Sequence, residues 1–286
     1  MKQKLRLAVQ KSGRLLDDSI ALLKECGISI DNGRNQLKAD ASNFDLEVFY
    51  LRNSDIPQYI EDGVVDIAFI GENTLIEKNK KNEIVQRLSF SKCRLSLAIP
   101  KGLEYTGLAY FQGKQLATSY PHTLQTFLTQ HNIQAEIHEI SGSVEIAPNI
   151  GLADGICDLV SSGSTLFQNN LQEVEVILKS EAVLTKNVQL TTERQAILDE
   201  LVFRIQSVLK GKQSKYIMMN VPTDRIAEVS NILPVLESPT VMPLAKEGWS
   251  SIHTVIPKDK FWEMISQLKA AGAKDILVVP IEKMMV

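Results

Sequence analysis

The segment DGVVDIAFIG, residues 62–71, is similar to DGICDLVSSG, residues 154–163, and the two together indicate the fold. In each copy the Asp-Gly pair is typical of a helix end, the apolar run predicts a buried strand, and the last glycine predicts a turn. Each copy is followed by Thr-Leu, at residues 74–75 and 165–166. This internal repeat predicts two similar α/β lobes that face each other across a cleft.

The elements before the two copies follow a common order. In the first half we predict a strand at residues 5–10, a turn at 11–14, a helix at 15–26 that Gly27 stops, and a further strand around Ile28. In the second half we predict a strand at 115–118, a turn at 119–122, a helix at 123–131 and a strand at 133–140. Both halves therefore have the same type of lobe.

The rest of the chain predicts how the lobes are joined. Apolar segments near residues 94–99 and 174–184 are expected to cross between the lobes, and a helix at 191–209 is expected to pack back on the first. Residues 210–214 have the composition of a polar linker. Residues 216–281 then follow the order βαββαβ, which predicts a ferredoxin-like domain.

Composition limits the function classes. A formal net charge of −3 argues against a general nucleic-acid-binding protein. No apolar segment approaches the roughly 20 residues of a membrane span, and the N-terminus has no signal-peptide pattern. The cysteines at positions 26, 93 and 157 are far apart, which indicates reduced thiols and a cytoplasmic location. The four scattered histidines do not have zinc-site spacing, and no P-loop or GxGxxG motif is present.

The second copy carries the strongest candidate for chemistry. Small hydroxyl residues and one glycine follow its strand: Ser161, Ser162, Gly163, Ser164 and Thr165. A helix that begins near Thr165 would present free N–H groups and its positive dipole end to a phosphate. Asp158, which we place at the start of the strand, could accept hydrogen bonds from ribose hydroxyls. The alternative is a plain helix cap with a solvated carboxylate.

These residues, in their context, resemble a known family. Residues 145–166, from Glu145 to Leu166, look like the signature of ATP phosphoribosyltransferase, the first enzyme of histidine biosynthesis. Further blocks that resemble this family are residues 10–14, 70–73, 117–121, 215–219 and 238–240. The similarity covers essentially the whole chain, in the arrangement of the family's long form.

The resemblance implies a fold and its bounds. It implies two periplasmic-binding-protein-like (type II) lobes around a cleft and a C-terminal ferredoxin-like (ACT-like) domain that binds histidine. The expected bounds are 1–93 with 172–211 for lobe I, 94–171 for lobe II, and 212–286 for the regulatory domain.

The resemblance also implies a reaction and partners. ATP and phosphoribosyl pyrophosphate would give N1-(5-phosphoribosyl)-ATP and pyrophosphate, with Mg²⁺ as cofactor. L-Histidine would act as feedback inhibitor, and the chain would form a homo-oligomer in a dimer–hexamer equilibrium. No nucleic-acid or membrane partner is expected.

Particular residues receive roles in this scheme. Lys11 and Arg14 are expected to hold phosphates or the leaving group, and with Glu72 and Tyr120 they are the candidate ATP contacts. Asp158 and the loop 161–165 are the candidate phosphoribosyl pyrophosphate site, and Glu145 is the candidate metal contact. Candidate histidine contacts in the tail are Asn220, Thr240 and Ala273, although Asn220 replaces an acidic residue of some relatives. These tail residues could instead serve only a subunit interface.

Other assignments stay open. Arg52 and Arg94 are either phosphate ligands or salt-bridge residues, whereas Asp66 is expected to shape the first lobe. Two lobes joined by crossing strands also describe a solute-binding protein that performs no chemistry. A third possibility is a phosphoribosyltransferase with another acceptor, although the purine-salvage type has two adjacent acidic residues where this chain has Cys157 and Asp158.

Overall fold

The computed structural model describes residues 3–30, 37–80, 82–233 and 238–285. They form two compact units, Met1–Lys24 with Ile28–Leu198 and Glu25–Gly27 with Asp199–Val286. The first unit contains both α/β lobes, and the second contains the C-terminal sheet. Among the described residues, no helix combines the length and apolar character that crossing a bilayer requires. The domain bounds expected from the sequence remain a prediction.

Lobe I is a six-stranded sheet with helices beside it. Its elements are β1 (Leu5–Gln10), α1 (Arg14–Glu25), β2 (Lys38–Asp40), β3 (Leu46–Leu51), α2 (Ile56–Glu61), β4 (Ile67–Gly71), α3 (Glu72–Lys78) and β5 (Glu83–Arg87), to which a later strand, β11 (Ala182–Lys186), is added. The strand order is β2-β3-β1-β4-β11-β5, and β1 is parallel to both β3 and β4. The turns after β1 and β4 therefore lie at the same edge of the sheet.

Lobe II has a five-stranded sheet. Its elements are β6 (Cys93–Pro100), β7 (Gln115–Thr118), α4 (Pro121–Gln130), β8 (Glu136–Glu139), β9 (Gly155–Val160), α5 (Ser164–Gln168) and β10 (Leu171–Ser180). The strand order is β10-β6-β9-β7-β8, with β7 parallel to β9 and β6 antiparallel to it. The ends of β7 and β9 and the start of β6 consequently meet at one edge.

Two crossings connect the lobes. The chain leaves lobe I between β5 and β6 and returns between β10 and β11. These crossing segments are hydrogen-bonded to each other, from Leu88 N–H to the Ala182 carbonyl at 2.9 Å and from Ala182 N–H to the Phe90 carbonyl at 3.0 Å. The predicted fold class of two lobes joined by two crossings is confirmed. The first crossing, however, lies between Arg87 and Cys93, because the predicted crossing segment 94–99 is part of β6 in the lobe II sheet.

The helix after the second crossing, α6 (Thr192–Lys212), is tied to lobe I at its start. Arg194 Nη1 donates a hydrogen bond to Asp66 Oδ1 at 2.9 Å, and Arg6 Nη2 donates to the same oxygen at 2.7 Å. The Asp66 side chain is only 4% exposed. Asp66 thus occupies a structural position in lobe I, as expected from the sequence.

The second unit carries a four-stranded antiparallel sheet. Its elements are β12 (Ser214–Pro222), α7 (Ile226–Ile232), β13 (Thr240–Pro243), β14 (Trp249–Pro257), α8 (Phe261–Ala270) and β15 (Lys274–Pro280). The strand order is β13-β14-β12-β15. Buried apolar residues of both helices and of one sheet face form the core. The predicted ferredoxin-like βαββαβ domain is confirmed.

Several local predictions are wrong. Ile28 is not in a strand, because Gly27 adopts a φ of 75° and the Ile28 N–H bonds back to the Leu23 carbonyl at 2.9 Å, which closes helix α1. Residues 210–212 are not a linker but the last turn of α6. Gly211 lets the backbone of Glu282 approach α6 closely, since a Cβ on Gly211 would lie 2.9 Å from the carbonyl carbon of Glu282. Two short 3-10 helices, Val144–Ile146 and Pro148–Ile150, precede Asp154 in place of an α-helix.

Candidate functional site

The hydroxyl-rich loop follows β9 at the cleft edge of lobe II. Gly163 has a φ of 81°, which bends the chain between the strand and α5. Ser162 Oγ and Ser164 Oγ lie 2.9 Å apart, and the four hydroxyl residues of the loop are exposed. In the described part of the chain, the N–H groups of Ser162 and Gly163 have no protein acceptor. The loop can therefore offer both N–H and O–H donors to an anion.

Two expectations about this loop are corrected. Helix α5 begins at Ser164 and has five residues, so its dipole is small and the donors of the loop itself must supply most of an anion's binding energy. Asp158 is the fourth residue of β9 and not the first. Because alternate residues of a strand share a face, this position puts Asp158 on the side of Ile156 and Val160.

Asp158 is a half-buried carboxylate with one local partner. Its Oδ1 accepts a hydrogen bond from the Leu159 N–H at 2.7 Å. Burial raises the pKa of Asp158, and the negative charge of Glu145 raises it further. The same carboxylate contributes, after burial, to raising the pKa of the Tyr120 hydroxyl. Asp158, Glu145 and Tyr120 are therefore electrostatic neighbours at one end of lobe II.

The cationic turn of lobe I faces the loop. Arg14 is the first residue of α1, and its Nη1 donates to Ser161 Oγ at 3.5 Å. Lys11 lies three residues earlier, directly after β1, and its N–H is fixed by the Leu51 carbonyl at 2.8 Å. Both side chains are exposed. The structure thus brings Arg14 to the predicted phosphate loop and places Lys11 on the same turn.

Arg94 belongs to an ion pair that touches the loop from the other side. Its Nε and Nη2 donate to Glu173 at 2.5 Å each, and its Nη1 donates to the Ser161 carbonyl at 3.3 Å. Ser96 Oγ donates to Glu173 at 2.7 Å. Of the two interpretations left open for Arg94, the structure shows the salt bridge. Glu173 was not identified from the sequence, because its partner lies 79 residues away.

Glu72 is bound within lobe I. Arg87 donates two hydrogen bonds to its carboxylate, at 2.6 and 2.7 Å, and this pair raises the pKa of Arg87. Arg87 also lies 3.4 Å from Glu181, which follows β10 at the crossing. Glu72 is therefore held by Arg87 beside the crossing, and its predicted contact with a nucleotide stays a prediction.

Asn73 connects the crossing to Tyr120. Its N–H donates to Ser180 Oγ at 3.0 Å, the Ser180 hydroxyl donates back to Asn73 Oδ1 at 3.0 Å, and its Nδ2 donates to the Tyr120 hydroxyl at 3.4 Å. A Cβ on Gly71 would lie 2.5 Å from Asn73 Oδ1, so a side chain there would displace the amide. These contacts of Asn73 cannot be predicted from the sequence, because Tyr120 and Ser180 lie 47 and 107 positions away in the chain.

A cavity of about 410 Å³ opens beside the loop at the crossing. Its lining contains four cationic side chains, together with Cys93, Ser161, Ser180 and Glu181; the cations are Arg87, Lys92, Arg94 and Lys179. Arg87 is paired with Glu72, and Arg94 is paired with Glu173. The excess of positive charge indicates that this end of the cleft suits polyanions.

Comparisons with known proteins agree with this geometry. The sequence profile of the family described as ATP phosphoribosyltransferase matches residues 52–207, and that of "HisG, C-terminal domain" matches residues 211–283. An ATP phosphoribosyltransferase of Cytophaga hutchinsonii is 57% identical over 279 residues, which cover 98% of each chain. The chain belongs to the ATP phosphoribosyltransferase family.

Two further relatives support this membership. An ATP phosphoribosyltransferase of Phocaeicola vulgatus is 53% identical over 98% of this chain and 99% of its own. A solved structure, the ATP phosphoribosyl transferase (HisG:HisZ) complex from Thermotoga maritima, aligns with a TM-score of 0.61 at 30% identity. That alignment covers 71% of this chain and 96% of the other. The resemblance inferred from the sequence blocks is confirmed, and the solute-binding alternative is rejected.

Of the candidate histidine contacts of this family member, Asn220 and Thr240 lie on different strands, and Ala273 directly precedes a third. Asn220 is on β12, and its Nδ2 donates to Asp275 Oδ2 at 3.0 Å. Buried Ala273 immediately precedes Lys274, which is paired with Asn220. Thr240 is on the edge strand β13, with β14 between it and β12. Two strand spacings amount to about 10 Å, so the structure brings Asn220 and Ala273 together but leaves Thr240 apart.

Proposed function

We propose that the chain transfers the 5-phosphoribosyl group of phosphoribosyl pyrophosphate to N1 of ATP. The products are N1-(5-phosphoribosyl)-ATP and pyrophosphate, and the reaction is the first step of histidine biosynthesis. One observation carries this proposal: Asp158 and the Ser161–Thr165 loop lie at a cleft edge that Arg14 faces from the opposite lobe. The family membership agrees with this reaction.

The loop would hold the 5-phosphate of the donor. Ser161, Ser162, Ser164 and Thr165 supply hydroxyls, and the N–H groups of the bend at Gly163 are available to phosphate oxygens. Asp158 would accept hydrogen bonds from the ribose hydroxyls, and for this its carboxylate must be ionised. A charged acceptor makes stronger hydrogen bonds than a neutral one, so the ribose would be fixed with C1 directed into the cleft.

Lys11 and Arg14 would stabilise the departing diphosphate. The bond from C1 to the diphosphate breaks as N1 of adenine attacks, so positive charge develops on the ribose and negative charge on the leaving group. The guanidinium of Arg14 can bind two phosphate oxygens at once, and the ammonium of Lys11 acts as a mobile point charge. Positioning and electrostatic stabilisation, without a covalent intermediate, account for the rate enhancement.

Tyr120 would help to place ATP. Burial raises the pKa of its hydroxyl, which therefore stays protonated at neutral pH, and Asn73 fixes the hydroxyl oxygen. Its ring follows the end of β7, beside Asp158 on the neighbouring strand. A base that packs against this ring would lie next to the ribose site. Glu72 would contact ATP from the lobe I side.

The residues fit a Mg²⁺ ion that enters with the diphosphate. In the described part of the chain, no three His, Cys, Asp or Glu side chains converge as a metal cage. Asp158 and Glu145 do lie close enough for Glu145 to raise the pKa of Asp158. Two neighbouring carboxylates suit Mg²⁺, which usually takes one or two protein oxygens and keeps phosphate and water ligands. When bound, the ion would neutralise diphosphate charge, and Glu145 would be its protein contact.

The C-terminal domain would regulate the enzyme. L-Histidine would bind near Asn220 and Ala273 when the C-terminal domains of two copies pair. Thr240 of the second copy would complete the site, since Thr240 of the same copy lies two strands away. The chain would accordingly form a homo-oligomer, in a dimer–hexamer equilibrium. A cytoplasmic location agrees with the reduced cysteines and with substrates found there.

A turnover assay tests the proposed function. The purified protein is mixed with ATP, phosphoribosyl pyrophosphate and Mg²⁺, and pyrophosphate release and the absorbance of the N1-alkylated adenine are followed. We expect equal amounts of both products. Product with another base but not with ATP would establish a different phosphoribosyltransferase. Binding of phosphoribosyl pyrophosphate without turnover for any acceptor would overturn the proposal.

A further inference from the structure

Glu77 of lobe I makes contacts that the proposed chemistry does not explain. It lies on α3, and its carboxylate reaches the first turn of α4 in lobe II. Oε1 accepts a hydrogen bond from the His122 N–H at 2.9 Å. Oε2 accepts hydrogen bonds from the Thr123 N–H at 2.9 Å and from Thr123 Oγ1 at 2.7 Å. A half-buried carboxylate of one lobe is thus held by three donors of the other.

The start of α4 lacks a cap of its own. Tyr120 occupies the N-cap position without a capping side-chain hydrogen bond, and Pro121 follows it. The first N–H groups of a helix have no acceptor within the helix, and the helix dipole favours a negative charge there. Glu77 supplies both the acceptor and the charge from 45 residues earlier in the chain. The capping acceptor of a helix normally comes from the residue just before it. Here Glu77 of lobe I caps a helix of lobe II.

The capped turn is the one that carries Tyr120. Asn73 and Glu77 are four residues apart on α3 and therefore share a helix face. Asn73 donates to the Tyr120 hydroxyl at 3.4 Å, while Glu77 holds the backbone that follows Tyr120. The Tyr120 N–H donates to Thr118 Oγ1 at 2.9 Å. The backbone and the hydroxyl of Tyr120 are consequently both fixed, and two of the residues that fix them, Asn73 and Glu77, belong to lobe I.

We propose that Glu77 is a positioning residue, which caps α4 across the lobe boundary and thereby holds Tyr120 in place for ATP. The proposal rests on the proposed function, because it assigns ATP to the Tyr120 side of the cleft. The phosphate loop is supported by β9 and Arg94, and the hydrogen bonds of Glu77 in the described residues go instead to His122 and Thr123. Loss of Glu77 should therefore weaken ATP binding selectively and leave the phosphoribosyl pyrophosphate site intact.

Glu77→Ala and Glu77→Gln test this inference, with Glu61→Ala as control. Glu61 is an exposed carboxylate of lobe I that pairs with Lys80 at 2.5 Å. We expect Glu77→Ala to raise the KM for ATP about tenfold, as loss of a charge-assisted hydrogen bond would. The KM for phosphoribosyl pyrophosphate should stay within about twofold, because its contacts are untouched. Glu77→Gln, which keeps one acceptor oxygen, should fall between wild type and Glu77→Ala, and Glu61→Ala should match wild type.

Formate provides a second readout that a merely stabilising residue would not give. Added formate can occupy the space left by the carboxylate in Glu77→Ala, and we expect it to lower the KM for ATP towards the wild-type value. It should have no such effect on wild type or on Glu61→Ala. In Glu77→Ala, hydrogen exchange at the His122 and Thr123 amides should also become faster.

The two proposals fail in different ways. If wild type converts ATP but Glu77→Ala has an unchanged KM for ATP, the inference about Glu77 is wrong and the proposed function stands. A fall in thermal stability with unchanged kinetics per folded molecule would also overturn it. If wild type has no activity with ATP, the proposed function fails. The amide exchange rates then still decide whether Glu77 caps α4.

Discussion

Arg14 Nη1 in lobe I lies 3.5 Å from Ser161 Oγ in lobe II. These atoms belong to a cationic turn after β1 and to an exposed hydroxyl loop after β9, which face each other across the cleft. Arg94 reaches the carbonyl of the same serine from within lobe II. A phosphate bound at the loop would be held from both lobes, so donor binding and lobe closure should be coupled.

Substitution of Arg14 tests its assigned role. Arg14→Ala should lower kcat/KM about 100- to 1,000-fold, the range for loss of one group that stabilises developing charge. Arg14→Lys should lose less, because the charge remains but two-point phosphate binding is lost. The melting temperature should hardly change, since the side chain is exposed. Lys24→Ala, in the last turn of the same helix, is the control, and equal losses in both variants would contradict the role.

The two repeat-related aspartates should behave in opposite ways. Asp158→Asn should reduce kcat/KM for phosphoribosyl pyrophosphate at least about 100-fold, because hydrogen bonds to a charged acceptor would be lost. Asp66→Ala should instead destabilise the fold by about 3–5 kcal/mol, because Arg6 and Arg194 lose their buried partner. Activity per folded molecule and chemical denaturation of both variants give the comparison. An inactive but stable Asp66→Ala would reverse the assignments.

Asp158→Asn should not be less stable than wild type at neutral pH. Burial and Glu145 raise the pKa of Asp158 above its unfolded value, so the ionised carboxylate opposes folding. This cost is present above the folded pKa and disappears as the pH falls below the unfolded value. The difference in melting temperature should therefore favour the variant at pH 7 and shrink towards acid pH. A large loss of stability at pH 7 would show that the carboxylate has a structural role.

The contribution of Glu173 to stability should depend on pH in the opposite sense. Arg94, and to a lesser extent Ser96, lower the pKa of Glu173 below its ordinary value, while burial acts in the opposite direction. Its contribution to stability is therefore complete above the unfolded pKa of about 4.3 and is lost as the pH falls through the lower folded pKa. Glu173→Gln should lose less free energy of unfolding than wild type between about pH 5 and pH 3. Parallel curves for the two proteins would contradict this ion pair.

Histidine inhibition should depend on Asn220. Asn220→Ala should raise the half-inhibitory concentration of L-histidine about tenfold or more, as loss of a hydrogen bond to a charged amino group would. Glu263→Ala, an exposed change on α8, is the control. Point variants are cleaner than truncation near Lys210, because α6 continues to Lys212. Unchanged inhibition in Asn220→Ala would place the effector elsewhere.

Much of this architecture can be predicted from the sequence. The Asp-Gly repeat at 62–71 and 154–163 predicts the two lobes, since each copy places a strand and a turn in one order. The crossing strands and the βαββαβ tail follow from apolar patterning. The predicted linker at residues 210–214 is wrong because Gly211, which permits a close backbone approach, cannot be distinguished in the sequence from a glycine of a flexible linker.

Contacts between distant elements could not be predicted. Glu77 bonds to residues 45 and 46 positions later, and Arg94 bonds to Glu173, 79 positions later. Such pairs depend on how the helices and strands of the lobes meet, which no local pattern specifies. The loop at 161–165 could be predicted because its residues are adjacent in the chain. Arg14 and Arg94, which contact the loop, are distant from it in the sequence.

A structure of the protein with bound phosphoribosyl pyrophosphate would show whether the loop 161–165 holds the 5-phosphate. We expect the 5-phosphate within about 3 Å of the N–H and hydroxyl groups of residues 161–165, and the ribose hydroxyls at Asp158. Arg14 should then contact the phosphate or diphosphate in place of Ser161. Density for the ligand elsewhere in the cleft, with the loop empty, would rule out residues 161–165 as the phosphate site.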